Sequence, residues 1–386
     1  MRIGFDATIL RGPITGIGYY TELLMATLPD TCPDLTVLGY DGFRMRPAAG
    51  RQPVVTSAGR SLGDIAALAR KVSWARKLYR TAKALNFRSE AGKVDLFHAT
   101  NYLPPARIKS PWIPLVHDVS HIRHPDWHPA ERVRWLESRH DEFLDAPVVN
   151  TVSQFSADEI QATLGIPASR IRITYPGVNP IFFQSGVDRS AVLARYQVLE
   201  GRYFLCVGAL EPRKNLKTAV KAYAGLPEDI QESHPLLVVG PAGWGQLDMP
   251  PETLELERRG RLRFCGYVCE LDMHALYQHA SAFLFPSFYE GFGMPVAEAM
   301  ATGTRPVIAP SGAPAEVAGK LGHTAPAAEP EAWRDAMAMA IDEDWHGDES
   351  LRGQLKKQAA RFTWAGNARQ TCAMYKDILS QSGVSA

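Results

Sequence analysis

The chain has 386 residues, of which 46% are hydrophobic and 22% are charged, a composition typical of globular proteins. Its 42 basic and 41 acidic residues leave a formal net charge of +1, which excludes the strongly basic surface of a general nucleic-acid binder. At roughly 100 to 200 residues per domain, this length predicts two domains that each bury a core. We therefore expect no nucleic-acid partner.

Cysteine content and the first residues bear on the cellular compartment. The chain has five scattered cysteines without a CxxC pair, which predicts structural thiols in a reducing compartment: Cys32, Cys206, Cys265, Cys269 and Cys372. The opening "MRIGFDATIL" reads as a strand rather than a signal peptide, and no apolar stretch approaches the roughly 20 residues of a membrane span. We expect a cytoplasmic protein.

Short β-rich runs alternate with longer helical patterns along the chain. They cover residues 2–9, 35–40, 94–100, 111–119, 147–152 and 171–176, and then 202–210, 235–240, 262–268, 282–287 and 305–310. Nearly continuous apolar strands in such an alternation predict parallel sheets with helices on both faces. The α/β pattern therefore predicts two doubly wound, Rossmann-like units facing a central cleft, which is the default ligand site.

Two glycines follow the first predicted strand, in "RGPITGIGYYTELL". Gly16 and Gly18 stand where a strand gives way to a helix, and glycines there let backbone amides approach a phosphate or a sugar. A tight turn without a ligand has the same pattern, so both interpretations stay open. The third glycine of a dinucleotide-binding fingerprint is missing, which disfavours hydride transfer.

Residues 60–93 carry nine basic residues against two acidic ones. Apolar residues recur at helical spacing, with Trp74 and Leu78 beside the stripe of Ile65, Leu68, Val72, Ala75, Tyr79 and Ala82. A basic amphipathic helix of this kind can lie on an anionic membrane surface. An ordinary helix that faces solvent is the favoured interpretation of the pattern, and the membrane-surface helix stays open as the alternative.

The segment "PLVHDVSHIRHPDWHP" places His117 and Asp118 at the carboxyl end of an apolar strand, where they would face the cleft. Three further histidines and Asp126 follow, which raises the possibility of a metal site. His117 and His121 would share a face only on a helix, and this segment reads as a strand running into a loop. We expect no metal here.

The segment "YPGVNPIFFQSGVD", residues 175–188, separates the two predicted units, with a boundary near residue 181. Asp188 can cap the helix that follows it. The second unit then opens with "FLCVGALEPRKNLKTAVKAY", in which Arg213 and Lys214 precede a helix that Asn215 can cap. Two cations beside a helix N-terminus at a cleft predict a diphosphate site, although a solvated basic turn has the same residues.

The segment "FYEGFGMPVAEAM" brings two carboxylates to the end of another strand. Glu290 lies in the predicted loop, Pro295 suits a first helical turn, and Glu298 lies one turn into the helix. A carboxylate accepts two hydrogen bonds from a vicinal diol, so this pair could bind a sugar and a ribose. A glutamate that complements the helix dipole is the alternative for Glu298.

The combination of "GALEPRKN", "GYV", "FPSFYEGFGMPVAEAM" and "SGAPAEV" resembles the retaining glycosyltransferases of family 4, which have the GT-B fold and an E-x7-E motif. The resemblance covers essentially the whole chain and is more specific in the second half. It implies that Glu290 contacts the donor sugar hydroxyls and Glu298 the ribose. It also implies that Arg213 and Lys214 clamp the diphosphate and that His117 faces the donor sugar.

Further site residues follow from the same resemblance. Gly16 would lie near the diphosphate, and the backbone at Tyr267 and Val268 would flank the base. The other expected substrate contacts are Gly18, Asp118, Gly291, Phe292 and Gly293. Many members carry an arginine where this chain has Ala209, and we expect Arg213 to take that role.

The resemblance also implies a domain plan. Residues 1–180 would form an acceptor-binding domain, residues 181–362 a nucleotide-sugar-binding domain, and residues 363–386 a helix that packs back on the first domain. The acidic triplet "DED" at residues 342–344 lies far from any predicted strand end, and we expect it to be solvated.

The implied activity is that of a hexosyltransferase, which moves a hexose from a nucleotide-diphosphate sugar to a glycan or lipid-linked glycan, without cofactor or metal. The "VHD" and "VGALEPRKN" segments look most like GDP-sugar-dependent mannosyl- and rhamnosyltransferases of bacterial surface polysaccharide and lipopolysaccharide assembly. A UDP-hexose donor, or a sugar-nucleotide epimerase or hydrolase on the same fold, stays open. Residues 60–93 could then contact the inner membrane peripherally.

Overall fold

The computed structural model describes residues 1–11, 16–47, 73–184, 189–243, 245 and 248–381. The strands are β1 (Arg2–Asp6), β2 (Thr36–Tyr40), β3 (Met45–Pro47), β4 (Leu96–Ala99), β5 (Trp112–Val116), β6 (Val149–Thr151), β7 (Ile171–Ile173), β8 (Phe204–Val207), β9 (Leu236–Val239), β10 (Leu262–Gly266), β11 (Ala282–Phe285), β12 (Pro306–Ile308) and β13 (His323–Thr324).

The helices surround these strands. They are α1 (Gly16–Thr31), α2 (Ser73–Ala91), α3 (Ser120–Arg123), α4 (Ala130–Glu137), α5 (His140–Asp145), α6 (Gln154–Leu164), α7 (Ser190–Arg195), α8 (Leu216–Ala224), α9 (Glu228–Ser233), α10 (Thr253–Arg258), α11 (Glu270–Gln278), α12 (Met294–Thr302), α13 (Ala313–Ala318), α14 (Pro330–Asp342), α15 (Glu349–Ala359) and α16 (Trp364–Gln381).

The strands form two sheets, as the alternation predicts. Within the described ranges, the first sheet has the order β3-β2-β1-β4-β5-β6-β7 and the second the order β10-β9-β8-β11-β12-β13. All pairs are parallel except β2 with β3. Every residue of β4, β9 and β11 is buried, because helices cover both sheet faces. The predicted pair of doubly wound units is therefore confirmed.

The strand order reverses once in each sheet, between β1 and β4 and between β8 and β11. Ligands of open parallel sheets bind outside the carboxyl ends of strands at such a reversal. The Gly16 helix follows β1, the Arg213–Lys214 segment follows β8, and the Glu290 loop follows β11. The topology thus directs three of the predicted site segments to the two reversal points.

Two short edge strands were not among the predicted runs. β3 pairs antiparallel with β2 and holds the exposed Arg46 and Pro47, and β13 has two residues beside β12. Both are too short and too polar to produce an apolar run. Edge strands commonly have these properties.

The final helix packs against the first domain. α16 lies along α1, and Asn367 donates hydrogen bonds to the Tyr20 hydroxyl and to the backbone oxygens of Thr174 and Tyr175. The Tyr375 hydroxyl lies 2.7 Å from Nδ1 of His98 on β4. The exact boundaries at residues 180 and 362 stay predictions, and Asp188, the proposed cap, lies outside the described residues.

The expectation of five unpaired cysteines is wrong for two of them. Cys32 and Cys372 form a disulfide, because the packing of α1 against α16 brings together residues that are 340 positions apart. Cys206, Cys265 and Cys269 are free. Spacing along the sequence carries no trace of this long-range pair, so the cysteine count does not identify the compartment.

The predicted basic helix is described in part, as α2, whereas residues 60–72 lie outside the described residues. Three large apolar side chains of α2 are exposed: Leu78, Tyr79 and Leu85. Near its end, Phe87 is buried with Phe97 of β4. Among the described helices, none is long and apolar enough to cross a membrane.

Candidate active site

Three charged groups predicted for the site meet in one cluster. Arg213 Nη1 donates to Glu290 Oε2 at 2.8 Å, and Lys214 Nζ donates to Glu290 Oε1 at 2.6 Å. Glu290 is 8% exposed, and the two cationic side chains are less than one-fifth exposed. Each carboxylate oxygen therefore pairs with a different cation at the carboxyl ends of β8 and β11.

The local backbone holds this cluster in place. The amide of Phe288 donates to the Arg213 carbonyl at 2.9 Å, which ties the Glu290 loop to the segment after β8. Asn215 occupies the N-cap position of α8, but the prediction that its side chain caps the helix is wrong. Its Nδ2 instead donates to the carbonyls of Pro286 and Ala327, because Asn215 has a left-handed backbone that turns the side chain towards those loops.

Electrostatics fix the charge states of the cluster. Burial favours a neutral Glu290, but the charges of Arg213 and Lys214 outweigh it and lower the pKa of the carboxyl. Burial lowers the pKa of the Lys214 ammonium despite the neighbouring Glu290. Burial also opposes the charge on Arg213, but Glu290, Asp118 and Glu211 together raise its pKa. The cluster is a buried ion network rather than a solvated basic turn.

Two glycines of the loop are required by its geometry. A Cβ on Gly291 would collide with the His117 carbonyl, so the loop of the second domain packs directly on the end of β5 in the first. Gly293 has φ +97°, a left-handed conformation that glycine adopts readily, and precedes the first residue of α12. Phe292 between them is buried.

His117 and Asp118 follow β5 at the domain interface, and their contact with a donor sugar stays a prediction. His117 Nε2 lies 2.9 Å from the Thr100 carbonyl, and burial lowers the pKa of its ring. Asp118 accepts hydrogen bonds from the amide and the hydroxyl of Ser120 at 2.9 and 2.6 Å. Burial opposes its ionisation, but Arg213 across the cleft and the Ser120 bonds lower the pKa of Asp118.

The other histidines of this segment have separate partners. His128 Nε2 lies 2.9 Å from the Ser120 hydroxyl, and the His124 ring stacks on Trp127 with centroids 3.9 Å apart. His121 is buried, and burial lowers its pKa to about 4. These side chains thus support the loop after β5 individually rather than converging on one point.

Glu298 lies on α12, away from the cations. The Tyr277 hydroxyl donates to its Oε2 at 3.2 Å. Burial and, to a smaller extent, the charge of Glu270 raise the pKa of Glu298 to about 7. The two glutamates of the motif therefore differ, since Glu290 is held ionised and Glu298 titrates near neutral pH.

A bridge between the domains beside Glu298 was not predicted. The Tyr19 hydroxyl on α1 donates to Glu270 Oε1 at 2.6 Å, and Asn179 Nδ2 lies 2.9 Å from that hydroxyl and 3.2 Å from Glu270 Oε2. Burial and the Glu270 hydrogen bond raise the pKa of Tyr19. Residues 251 positions apart meet here, and no local pattern marks them.

A second bridge joins α6 of the first domain to α13 of the second. Glu316 accepts hydrogen bonds from the amides of Gln154 and Phe155 at 2.9 Å each and from the Tyr175 hydroxyl at 2.7 Å. A carboxylate at a helix N-terminus interacts favourably with the helix dipole. Glu316 lies in the quoted "SGAPAEV" segment, but its contact with the other domain was not predicted.

The remaining predicted residues occupy varied environments. Gly16 is exposed at the first residue of α1, and an added Cβ would meet nothing within 4 Å, whereas Gly18 is buried in the same helix. After β10, Tyr267 is 81% exposed and Val268 is buried. Their contacts with a substrate stay predictions.

Comparisons with known proteins agree with this architecture. The family model described as Glycosyltransferase Family 4 matches residues 14–181, and the one described as Glycosyl transferases group 1 matches residues 196–362. O-antigen chain mannosyltransferase B of Escherichia coli is 30% identical, with alignment over 97% of this chain and 100% of the relative. D-inositol 3-phosphate glycosyltransferase of Corynebacterium glutamicum (strain R) is 29% identical over 79% of this chain and 77% of the relative.

Solved structures share the whole fold. Sucrose-phosphate synthase from Thermosynechococcus elongatus superposes with a TM-score of 0.69 at 17% identity, covering 99% of this chain and 100% of the other. The Anabaena protein Alr3699/HepE in complex with UDP-glucose gives 0.68 at 19% identity, covering 98% and 99%. At this identity the likeness establishes the fold, and the predicted GT-B architecture is confirmed.

The fold, the charged cleft and these relatives together define a glycosyltransferase. The chain belongs to glycosyltransferase family 4 and is a hexosyltransferase.

Proposed function

We propose that the enzyme transfers mannose, or the related rhamnose, from a GDP-sugar to a glycan or lipid-linked glycan during assembly of a bacterial surface polysaccharide. The main observation in support of a diphosphate donor is that Arg213 and Lys214 both contact Glu290 in the cleft. Similarity to an O-antigen chain mannosyltransferase over nearly the whole chain supports mannose and a polysaccharide acceptor.

The charge arrangement supports an exchange of partners when the donor binds. A diphosphate competes with Glu290 for the same two cations, and Arg213 can hold phosphate oxygens in a bidentate way. As the diphosphate takes Arg213 and Lys214, the Glu290 carboxylate becomes available to accept hydrogen bonds from the sugar hydroxyls. Glu290 thus keeps the buried cations paired until the donor replaces it.

The same contacts support a retaining mechanism without a covalent enzyme intermediate. In the donor complex, the Glu290 oxygens accept hydrogen bonds from the sugar hydroxyls, so they are engaged rather than directed at the anomeric carbon. We propose that the acceptor hydroxyl attacks from the face that the diphosphate leaves. Arg213 and Lys214 neutralise the charge that develops on the leaving group, a role that requires no metal ion.

We further propose a cytoplasmic enzyme that contacts the inner membrane peripherally to reach lipid-linked acceptors. The exposed Leu78, Tyr79 and Leu85 of α2, together with the exposed Arg80 and Lys83, support this contact. Apolar side chains combined with cations bind anionic lipid surfaces.

The test is a donor panel assayed with and without a mannan-type oligosaccharide acceptor. GDP-mannose or GDP-rhamnose should release GDP in an acceptor-dependent way, and the new linkage should keep the anomeric configuration of the donor. Acceptor-independent turnover would indicate the hydrolase or epimerase alternative. Turnover of UDP-hexoses alone would replace the GDP-sugar proposal with a UDP-dependent transferase.

A matched pair of variants tests the cation cluster in the same assay. Lys214→Ala should cost about 2 to 5 kcal/mol of transition-state stabilisation, a fall in kcat/KM from about 30-fold to several thousand-fold. The control is Lys217→Ala, since Lys217 on α8 is 41% exposed and pairs with Asp248. Equal kcat/KM values for the two variants would contradict the proposed role of Lys214.

A further inference from the structure

A group of metal-ligand side chains lies on the second domain at the end opposite the cleft. Glu200 precedes β8, His279 follows α11 and precedes β11, and His346 lies between α14 and α15. The cleft residues follow the carboxyl ends of β8 and β11, whereas this group flanks the amino ends of those strands. It is therefore separate from the proposed active site.

The three potential ligand atoms have spacings suited to one small ion. His279 Nδ1 lies 2.9 Å and His346 Nε2 3.7 Å from Glu200 Oε1, and all three atoms lie within 4.8 Å of one another. Tetrahedral zinc with bonds of about 2.0 to 2.1 Å separates neighbouring ligand atoms by about 3.3 Å. The two separations measured from Glu200 Oε1 lie on either side of that value.

The His346 ring supplies an independent observation. Its Nε2 is buried and has no hydrogen-bond partner in the described structure, although it points towards Glu200. A buried polar atom without a partner costs about 1 to 3 kcal/mol, so native proteins rarely keep one. A metal ion bound at Nε2 would satisfy this atom.

The surrounding backbone brings the ring to this position. The amide of Gly201 donates to the His279 carbonyl at 2.9 Å, which links the segment before β8 to the end of α11. Gly201 has φ +65°, and a Cβ there would lie 3.2 Å from Nδ1 of His346. Glycine at this position therefore allows both the turn and the close approach of the imidazole.

The charges near the group are compatible with a cation. The carboxylate of Glu200 supplies a negative charge at the group, since its Oε1 lies 2.9 Å from His279 Nδ1 and 3.7 Å from His346 Nε2. The Arg352 guanidinium contacts the carbonyls of Gln278, His346 and Thr302, which are partners for its positive charge.

We infer that Glu200, His279 and His346 form a zinc site that ties together three segments of the second domain. Two imidazole nitrogens and one carboxylate oxygen are a ligand set that zinc prefers, with water in the fourth position. Because the site is remote from the cleft, zinc stabilises the domain and takes no part in sugar transfer.

The experiment uses full-length, tag-free protein treated with EDTA, desalted and titrated with zinc chloride by calorimetry. We expect about one equivalent of zinc to bind and to raise Tm. His346→Asn and His279→Gln should each weaken zinc binding about tenfold or more and abolish the Tm increase. The control His140→Ala removes an exposed histidine of the first domain and should bind zinc as wild type does.

Circular dichroism of the zinc-free variants separates a binding defect from misfolding. If His346→Asn does not fold, Glu200→Gln provides the same comparison, because the amide preserves shape while removing the anionic ligand. Wild-type protein that binds no zinc would overturn the inference. Zinc that binds equally well to the folded cluster variants and to His140→Ala would also overturn it.

Discussion

Glu290 is paired with both cations of the cleft. Because of this pairing, removal of Glu290 should affect GDP affinity and kcat differently. Glu290→Ala removes a competitor for Arg213 and Lys214, so GDP should bind as tightly as in wild type or more tightly. Loss of the contacts to the sugar should lower kcat about 100-fold or more, the range for one transition-state hydrogen-bonding group. Calorimetry with GDP and steady-state kinetics measure the two effects.

A parallel loss of GDP affinity and of kcat in Glu290→Ala would contradict this division. Glu298→Ala is the comparison within the same motif, because the residue is expected to contact the ribose. That variant should weaken nucleotide binding itself.

Glu298 also makes stability depend on pH. Its pKa is raised from 4.5 to about 7 in the folded protein, so the unfolded chain ionises first. Its contribution to stability is complete below about pH 4.5 and is lost as pH rises through about 7. The full difference corresponds to about 3 kcal/mol.

Glu298→Gln removes this ionisation. The variant should gain up to about 3 kcal/mol in unfolding free energy relative to wild type at pH 8, and the gain should shrink towards pH 5. Urea denaturation at several pH values measures it, with the exposed Glu257→Gln as control. A gain that is the same at pH 5 and pH 8 would show that the ionisation of Glu298 is not its cause.

At the scale of elements, the contact of Glu316 on α13 with the N-terminus of α6 joins the two domains. Glu316→Ala removes the acceptor for two backbone amides and the Tyr175 hydroxyl. Helix N-terminal caps typically contribute about 0.5 to 2 kcal/mol, so unfolding free energy should fall by that amount. Chemical denaturation measures it, and Glu257→Ala should show a much smaller change.

An unchanged stability in Glu316→Ala would mean that solvent satisfies these amides equally well. In that case the two domains would lie in contact at Glu316 without any gain in unfolding free energy from that contact.

Local patterns and long-range contacts differ in how far the sequence predicts them. The buried strands such as β9 and β11 were predicted because burial on both faces leaves continuous apolar runs, whereas the short edge strands β3 and β13 leave none. The disulfide between Cys32, directly after α1, and Cys372 of α16 was not predicted for a different reason. It depends on which helices pack together, which residue spacing does not encode.

The candidate site shows the same distinction. Arg213, Lys214 and Glu290 were each predicted, because all follow apolar strands at the carboxyl edge of one sheet. Their mutual pairing was not, since it depends on the relative position of loops 76 residues apart. The bridge from Tyr19 to Glu270 crosses between domains and has no local signal at all.

At the scale of the whole molecule, two domains share a cleft whose charged residues come from both sides. Asp118 of the first domain interacts electrostatically with Arg213 of the second, and the Gly291 loop packs against the end of β5. The final helix returns to the first domain and connects the two at their ends. Because the domains contact each other around the cation cluster, nucleotide binding there should raise the Tm of the whole protein.

The most direct test of the account is a thermal denaturation panel with GDP, UDP, ADP and dTDP on the purified protein. A ligand at 100 times its Kd should add about 2.7 kcal/mol of stability, which a shift in Tm detects readily. The account predicts a selective increase with GDP. A selective response to UDP would contradict the proposed donor, and the absence of any response to all four would contradict the diphosphate site at Arg213 and Lys214.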